Sequence, residues 1–283
     1  MTADVQAPGQ PQAKLARSGA EALRAARTGG YGLAAFNAVN LETAQAIVWA
    51  AQAQRAAVVL QFSQNAARHA GLRQLAALGL SFKRDADVPV LLHFDHAESE
   101  DVALAALDLG FDGVMLEGDD PATLRRLASE AHACGGYLEA EYEVVVKGER
   151  HGERHDDPAG LSRFVELSGC DLLAIDIGTA HKQTEKTAQL DFARLEALAA
   201  LTPVPLVLHG SSGVPEEQLS RAVTLGITKV NLATDLTLAF TAAVRASLDG
   251  GASDPRKYLA AGRDAMRGRA EHYIQLLGGA GTA

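Results

Sequence analysis

The segment VPVLLHFDHAESEDVALAALDLG, residues 88–110, sets the pattern by which the rest of the chain is interpreted. Residues 88–94 are mostly apolar, as in a buried strand, whereas residues 99–110 carry apolar side chains at intervals of three and four, as in a helix. Asp95 and His96 lie at the junction between the two parts. The segment therefore predicts one strand–helix unit with polar groups at the end of the strand.

The same unit recurs along the chain. We predict eight strands, at residues 31–37, 56–62, 88–94, 111–117, 136–142, 171–177, 204–210 and 227–233. Helical segments follow them, for example at residues 41–54, 121–135 and 215–226. Eight such units in 283 residues predict an α/β chain folded as a (β/α)8 TIM barrel rather than an open sheet. Extra N- and C-terminal helices are expected near residues 12–27 and 254–277.

Composition restricts the class of partner. The chain has 26 basic and 35 acidic residues, a formal net charge of −9, so no basic excess is available to bind nucleic acid or an anionic membrane. We see neither a signal sequence nor an apolar run of the ~18 residues that a membrane span needs, and we expect a cytoplasmic protein. Residues 1–12 and 278–283 are predicted to be disordered. Residues 13–283 are predicted to form a single domain.

Polar groups follow several of the predicted strands. The C-terminal ends of barrel strands meet at one mouth, so His96, His181 and His209 should converge there. Three neutral imidazoles suit a divalent ion, with zinc as first choice by ligand type. The alternative is structural, because a single histidine at a strand end is usually a hydrogen-bonded residue. His93, two residues before Asp95, is interpreted in that way, as a core residue with its hydrogen bonds satisfied.

Two glycine- and serine-containing turns predict an anion site at the same mouth. HGSSG, residues 209–213, follows strand seven, and VNLAT, residues 230–234, follows strand eight. Their backbone N–H groups and hydroxyls have the chemistry of a phosphate cradle, which barrels often carry at this position. The alternative is that these residues form a tight turn and a helix cap without binding an anion.

Taken together, these segments resemble the class II, metal-dependent fructose-bisphosphate and tagatose-bisphosphate aldolases. The likeness is carried by segments in the order and spacing of that family: LHFDHAES (92–99), LEAEYE (138–143), IGTAH (177–181), LVLHGSSG (206–213) and KVNLAT (229–234). It implies reversible cleavage of a ketose phosphate to dihydroxyacetone phosphate and an aldehyde through a metal-stabilised enediolate. It also implies Zn2+ or another divalent transition metal, a small-molecule sugar phosphate as ligand, and a homo-oligomer, either dimer or tetramer.

The resemblance also assigns roles to single residues. Asp95 matches the residue that moves the proton of the C4 hydroxyl, and Glu149 matches a loop base that exchanges a proton at C3. His96, His181 and His209 match the metal ligands, and Glu141 matches a carboxylate at a second metal position. A monovalent cation is expected near the phosphate. The residues matching substrate or phosphate contacts are Asn37, Ser63, Gly210, Ser212, Asn231 and Thr234, and Lys182 is a further candidate for binding the phosphate.

Three departures from the family pattern leave alternatives open. The loop before Glu149 lacks the family's Gly-Gly pair, so Glu153 competes for the role of base. Lys182 stands where the family has glycine, and Thr237 stands where it often has a cation for a distal phosphate. These changes allow an aldolase for a singly phosphorylated or acidic sugar, or a non-catalytic sugar-phosphate binder. A metal-dependent hydrolase is disfavoured, because FNAVN, residues 36–40, replaces its usual HxH pair.

Overall fold

The computed structural model describes residues 19–118, 120–142, 158–179 and 185–283. Its parallel strands pair in sequence order, and pairing of the last strand with the first closes a barrel. The prediction of a (β/α)8 TIM barrel is confirmed. The strands are β1 Leu33–Asn37, β2 Val58–Ser63, β3 Val90–Ala97, β4 Gly113–Leu116, β5 Tyr137–Glu141, β6 Leu172–Ala174, β7 Leu206–Leu208 and β8 Ile227–Leu232.

Helices in the described residues pack around this barrel, and several begin directly after a residue whose side chain caps them. Asn40 accepts from the Thr43 backbone while Thr43 bonds back to Asn40, a capping box, and Ser99 and Asp120 cap their helices in the same position. The helices are α1 Gly19–Gly29, α2 Leu41–Gln54, α3 Gln64–Ala70, α4 Leu72–Asp85, α5 Glu100–Asp108, α6 Pro121–Ala133, α7 Pro158–Ser168, α8 Phe192–Leu201, α9 Glu216–Thr224, α10 Thr234–Asp249 and α11 Pro255–Leu276.

The predicted extra helices are present, one before the first strand and one after the last strand–helix unit. Of the N-terminal segment 12–27, the part from residue 19 lies in α1, and the C-terminal segment 254–277 contains α11. The predicted tail, residues 1–12, lies outside the described residues. In the described part of the chain, no helix combines the length and the apolar character that crossing a membrane requires.

Alternation along each strand separates two apolar regions. Side chains such as Phe36, Leu92 and Leu208 face outward and pack against the helices. The intervening side chains face the barrel interior, where an apolar group fills the N-terminal half together with helix α1. We call its strand members the lower interior layer: Leu33, Ala35, Val59, Leu91, Tyr137, Leu172, Ala174 and Val207.

The C-terminal half of the same interior is polar. Moving two residues along β3 leads from Leu91 to His93 and then to Asp95, each of them buried. The strands thus carry apolar side chains below and hydrogen-bonding or charged side chains above, at the end where barrel enzymes have their sites. We call the polar group the upper interior layer: Gln61, His93, Asp95, Glu139, His209, Lys229 and Asn231.

The C-terminal prediction was wrong. Residues 278–283 were expected to be disordered, yet the Gly281 and Ala283 N–H groups donate to the Gln54 and Arg55 carbonyls at 2.8 and 2.9 Å. The carbonyls at the end of α2 need partners, and the glycine-rich segment supplies N–H groups without bulky side chains. Its composition indicated flexibility, whereas its hydrogen bonds hold it against the barrel.

Candidate active site

A cavity of about 290 Å³ lies at the C-terminal ends of the strands. Asp95 and His96 from β3, His209 after β7 and Asn231 from β8 line it, so residues distant in the sequence meet there. Such a polar pocket at this face of a barrel is the expected position for a substrate site. The other lining residues are Asn37, Val39, Ser63, Gln64, Asn65, Glu98, Glu117, Gly210, Ser211, Ser212, Ala233, Thr234 and Thr237.

One group of side chains in this cavity has the geometry to bind a metal ion. Candidate ligand atoms of Asp95, His96 and His209 all lie within 4.8 Å of one another. The imidazole rings of His96 and His209 meet edge to face, with centroids 5.1 Å apart. Asp95 Oδ1 is buried and accepts no hydrogen bond among the described residues, which leaves a carboxylate oxygen available. Two imidazoles and one carboxylate suit a divalent transition metal.

The backbone at His96 explains how neighbouring residues reach one cavity. Side chains of adjacent strand residues normally point to opposite faces, so Asp95 inside would place His96 outside. His96 instead has φ of +54°, in the left-handed region, and the β3–β4 register shifts between Phe94 and Ala97. A non-glycine residue in this region is strained by about 1–3 kcal/mol. The strained backbone turns the imidazole toward the mouth, where its Nδ1 lies 3.3 Å from Glu117.

Asp95 is held ionised by its surroundings. Its side chain is 5% exposed, and Asn37 Nδ2 donates to Oδ2 at 2.9 Å while Gln61 Nε2 donates to Asn37 Oδ1 at 3.2 Å. Burial opposes ionisation of Asp95, but the nearby His96 and His209 outweigh it and lower the pKa of the carboxyl to about 2. At neutral pH Asp95 is therefore a negatively charged group that can accept a proton.

His209 is connected to buried charges beneath the cavity. Its Nε2 lies 2.7 Å from Glu139 Oε1, and Lys229 Nζ donates to Glu139 Oε2 and to Asn231 Oδ1, both at 2.8 Å. Burial lowers the pKa of His209, but its hydrogen bond to Glu139 outweighs burial and raises it. Burial likewise opposes ionisation of Glu139, yet Lys229 and His209 hold its pKa below the usual value.

The predicted phosphate cradle forms one wall of the cavity. Gly210 has φ of +65°, a conformation that favours glycine, and it begins a short 3-10 turn, Ser211–Gly213. Beside it, α10 begins at Thr234 with no side-chain cap. The first N–H groups of a helix without a cap carry a partial positive charge and need an acceptor. These groups, with the hydroxyls of Ser212 and Thr234, can hold an anion.

The remaining predicted residues fall into three groups. Asn37 and Ser63 line the cavity, although the Ser63 hydroxyl also caps α3 by accepting from the Ala66 N–H at 3.3 Å. Glu141 is buried at the end of β5 and lies outside both the cavity lining and the Asp95, His96 and His209 group in the described part of the chain. His181, Lys182, Glu149 and Glu153 lie outside the described residues.

The prediction that His93 has satisfied hydrogen bonds was wrong. His93 is fully buried as expected, but neither ring nitrogen has a hydrogen-bond partner among the described residues. Its ring stacks on Tyr137, with centroids 5.5 Å apart, and its Nε2 is 3.7 Å from Glu139 Oε2. Burial, followed by the charge of Lys229, lowers the pKa of His93 to about 3, so the ring is neutral.

Sequence patterns overlooked several polar residues of the site. Gln61 and Lys229 stand inside runs interpreted as apolar strands, and Glu117 ends strand four next to the loop. A signal was available for the first two: each lies two residues from a predicted site residue, Ser63 or Asn231, and so shares its face of the strand. Alternation along the strand is thus the signal that could have identified Gln61 and Lys229 as interior residues.

Comparison with known proteins supports the same activity. A family model described as fructose-bisphosphate aldolase class-II matches residues 17–282. The fructose-bisphosphate aldolase of Thermus caldophilus is 37% identical over 303 residues, covering 94% of this chain and 99% of that protein. Its counterpart from Geobacillus stearothermophilus is 36% identical over 280 residues, covering 93% and 97%.

A solved structure has the same architecture. The YdjI aldolase from Escherichia coli K12 superimposes with a TM-score of 0.80 at 29% sequence identity, covering 93% of this chain and 98% of that one. The family match spans the barrel from α1 to α11 and includes every described residue of the cavity. This chain therefore belongs to the class II fructose-bisphosphate aldolase family, whose members are metal-dependent carbon–carbon lyases.

Proposed function

We propose that this aldolase is zinc-dependent and reversibly cleaves a ketose phosphate to dihydroxyacetone phosphate and an aldehyde. The observation that carries the proposal is the meeting of Asp95, His96 and His209 within 4.8 Å, in a cavity that also contains the anion cradle. His181 completes the proposed histidine ligands, in accordance with the sequence pattern. Glu141 is proposed for a second metal position.

The chemistry of cleavage assigns distinct roles to these groups. A bound divalent metal supplies Lewis-acid stabilisation for the negative charge that develops on the three-carbon half. Asp95, buried and ionised, accepts the proton of the C4 hydroxyl as the carbon–carbon bond breaks. Asn37 donates to Asp95 Oδ2 and fixes the carboxylate, which directs its other oxygen to the reacting hydroxyl. Glu149 is proposed as the base that exchanges the C3 proton, with Glu153 as its competitor.

The phosphate of the three-carbon half is proposed to bind at the cradle. Backbone N–H groups at Gly210 and at the start of α10, with Ser212, Asn231 and Thr234, supply neutral donors on one side of the cavity. Because none of the described lining residues is lysine or arginine, Lys182 and a monovalent cation are proposed to supply the missing positive charge.

The other lining residues favour an aldehyde half without phosphate. Val39, Ala233 and Thr237 are uncharged, and the charged lining residues Glu98 and Glu117 are acidic. A second phosphate would find no lysine or arginine among the described lining residues, and the Arg68 guanidinium beside Glu98 is already paired with that carboxylate. We therefore propose a ketose 1-phosphate as substrate, with an acidic sugar derivative as the weaker alternative. A bisphosphate substrate would need a cation from Lys182 or a neighbouring subunit.

Chelation and a substrate panel test this proposal. Removal of metal should abolish cleavage of ketose 1-phosphates, and added Zn2+ should restore it. The kcat/KM values for matched ketose 1-phosphates and ketose 1,6-bisphosphates should be similar, because none of the described residues that line the cavity supplies a positive charge for the second phosphate. A zinc-loaded protein that binds these sugars without turnover would instead be a sugar-phosphate binder. A strong preference for bisphosphates would contradict the specificity.

A further inference from the structure

Lys229 lies in the barrel interior, where a positive charge is costly. The side chain is fully buried in β8, and its Nζ donates to Glu139 Oε2 and Asn231 Oδ1 at 2.8 Å each. Burying such an ion pair costs desolvation energy that pairing often fails to recover, and an apolar pair of similar volume is frequently as stable or more so. A contribution to stability therefore does not explain well why the barrel buries Lys229 and Glu139 together. Both of its partners contact His209.

The first consequence of the ammonium group concerns Asn231. An amide oxygen and an amide nitrogen differ as acceptor and donor, and the Lys229 ammonium has donors only. Oδ1 must therefore face Lys229, since the reversed amide would bring donor against donor. The Asn231 amide nitrogen then lies 3.2 Å from His209 Nε2 and 3.5 Å from Nδ1. Because it is almost equidistant from the two ring nitrogens, it is aligned with neither of them and leaves the Nε2 hydrogen directed at Glu139. Asn231 lines the cavity, and this orientation makes the amide nitrogen, not the oxygen, the group that it can present to a ligand.

The second consequence concerns His209. Lys229 holds one oxygen of the Glu139 carboxylate, and the other oxygen lies 2.7 Å from His209 Nε2. A carboxylate accepts hydrogen bonds, so Nε2 carries the proton and Nδ1 carries the lone pair. An imidazole in this tautomer binds a metal through Nδ1, and the carboxylate behind it fixes the ring.

We propose that Lys229 is a positioning residue of the aldolase reaction: one buried ammonium group sets the direction of the Asn231 amide and, through Glu139, the metal-binding nitrogen of His209. This inference rests on the proposed function, in which His209 is a metal ligand and Asn231 contacts substrate. The hydrogen-bonding groups that Asn231 and His209 present at the mouth are then fixed by a buried residue that does not line the cavity.

The first measurement uses the wild-type protein loaded with zinc. Nitrogen-15 spectra of the histidine rings, with His209 assigned by comparison with His209→Gln, should show a proton on Nε2 and zinc on Nδ1. The reverse arrangement, with Nε2 bound to zinc, would overturn the proposal. This measurement does not depend on whether any variant folds.

The second measurement compares two variants by chelator competition for zinc. The double variant Lys229→Met with Glu139→Gln removes both buried charges without leaving either one unpaired, and its zinc Kd should rise by roughly 10–100-fold. Tyr137→Phe is the matched control, because Tyr137 lies in the same barrel interior but bonds to neither Glu139 nor His209. Its zinc Kd should match that of wild type. An unchanged Kd in the double variant would overturn the proposal.

A third measurement separates this inference from the proposed function. At saturating zinc, the double variant should raise KM for a ketose 1-phosphate, because the Asn231 amide is free to rotate. If wild-type protein cleaves the sugar and the double variant keeps the wild-type KM, the positioning role of Lys229 fails while the aldolase proposal stands. If zinc-loaded wild type cleaves no sugar phosphate, the aldolase proposal fails, and the ring spectra and zinc Kd still test Lys229.

Discussion

The lower and upper interior layers are built from the same strands, yet they differ in almost every physical property. Below, Leu91 and Val207 pack with helix α1 in an apolar interior. One step higher on the same strands, His93 and His209 are equally buried but polar, and they adjoin a charged Glu139. Burial stabilises the lower layer by about 1.5–3 kcal/mol for each large apolar side chain. In the upper layer burial opposes every charge.

The difference teaches how one barrel can be both stable and reactive. Glu139 stays ionised because Lys229 and His209 approach its carboxylate from other strands and lower its pKa. Those partners hold position because the lower layer and the outer core fix the register of the strands. Substitutions below should therefore change stability and spare catalysis, whereas substitutions above should do the reverse.

The largest expected effect is on catalysis and comes from the upper layer. Asp95→Asn keeps the size and an acceptor for Asn37 but removes the proton acceptor, so kcat should fall by roughly 10²–10⁴. The free energy of unfolding should change little. Zinc content, measured in parallel, identifies the cause. Loss of zinc together with turnover would show that Asp95 acts mainly as a ligand, and an unchanged kcat would assign the proton transfer elsewhere.

The matching change in the lower layer is Leu91→Ala. It removes a buried side chain from the apolar interior and leaves a cavity, so the free energy of unfolding should fall by about 2–5 kcal/mol. Below the melting temperature, kcat and zinc Kd should stay near the wild-type values. Urea denaturation and steady-state kinetics on one preparation check both statements. A fall in kcat at full folding would mean that the two layers are not independent.

A smaller effect should reveal the strain at His96. His96→Ala and His96→Gly both remove the imidazole, so the metal-free variants differ only in how well they adopt a φ of +54°. The glycine variant should be the more stable by about 1 kcal/mol, because glycine adopts this conformation without steric cost. Thermal unfolding of the two metal-free proteins measures the difference. Equal stability would show that the backbone relaxes once the side chain is gone.

The smallest effect is expected at the boundary between the layers. The Tyr137 hydroxyl is buried without a hydrogen-bond partner among the described residues, so Tyr137→Phe removes a polar group that gains nothing from burial. The unfolding free energy should stay equal or rise by up to about 1 kcal/mol, with kcat unchanged. Denaturant titration decides this. A clear loss of stability would indicate a bound partner for the hydroxyl, such as a buried water.

Much of the fold was predictable from local patterns. The alternation of apolar strands with helices of period 3.6 gave eight units. Helices α2, α5 and α6 begin within one residue of the predicted segments 41–54, 99–110 and 121–135, where Asn40, Ser99 and Asp120 cap them. Composition failed at residues 278–283, because a glycine-rich segment that is flexible alone finds acceptors at the end of α2. Those acceptors are far away in the sequence.

The sequence by itself determined the barrel, the residue types of the site and the end of the barrel that carries them. It did so because side-chain periodicity is a local property, and because the ends of parallel strands must meet. Tertiary structure decided which atoms face each other. His96 turns inward through a strained backbone, and His93 has no hydrogen-bond partner among the described residues. Lys229 donates hydrogen bonds to both Asn231 and Glu139. Each depends on contacts between different strands, and spacing along the chain does not encode such contacts.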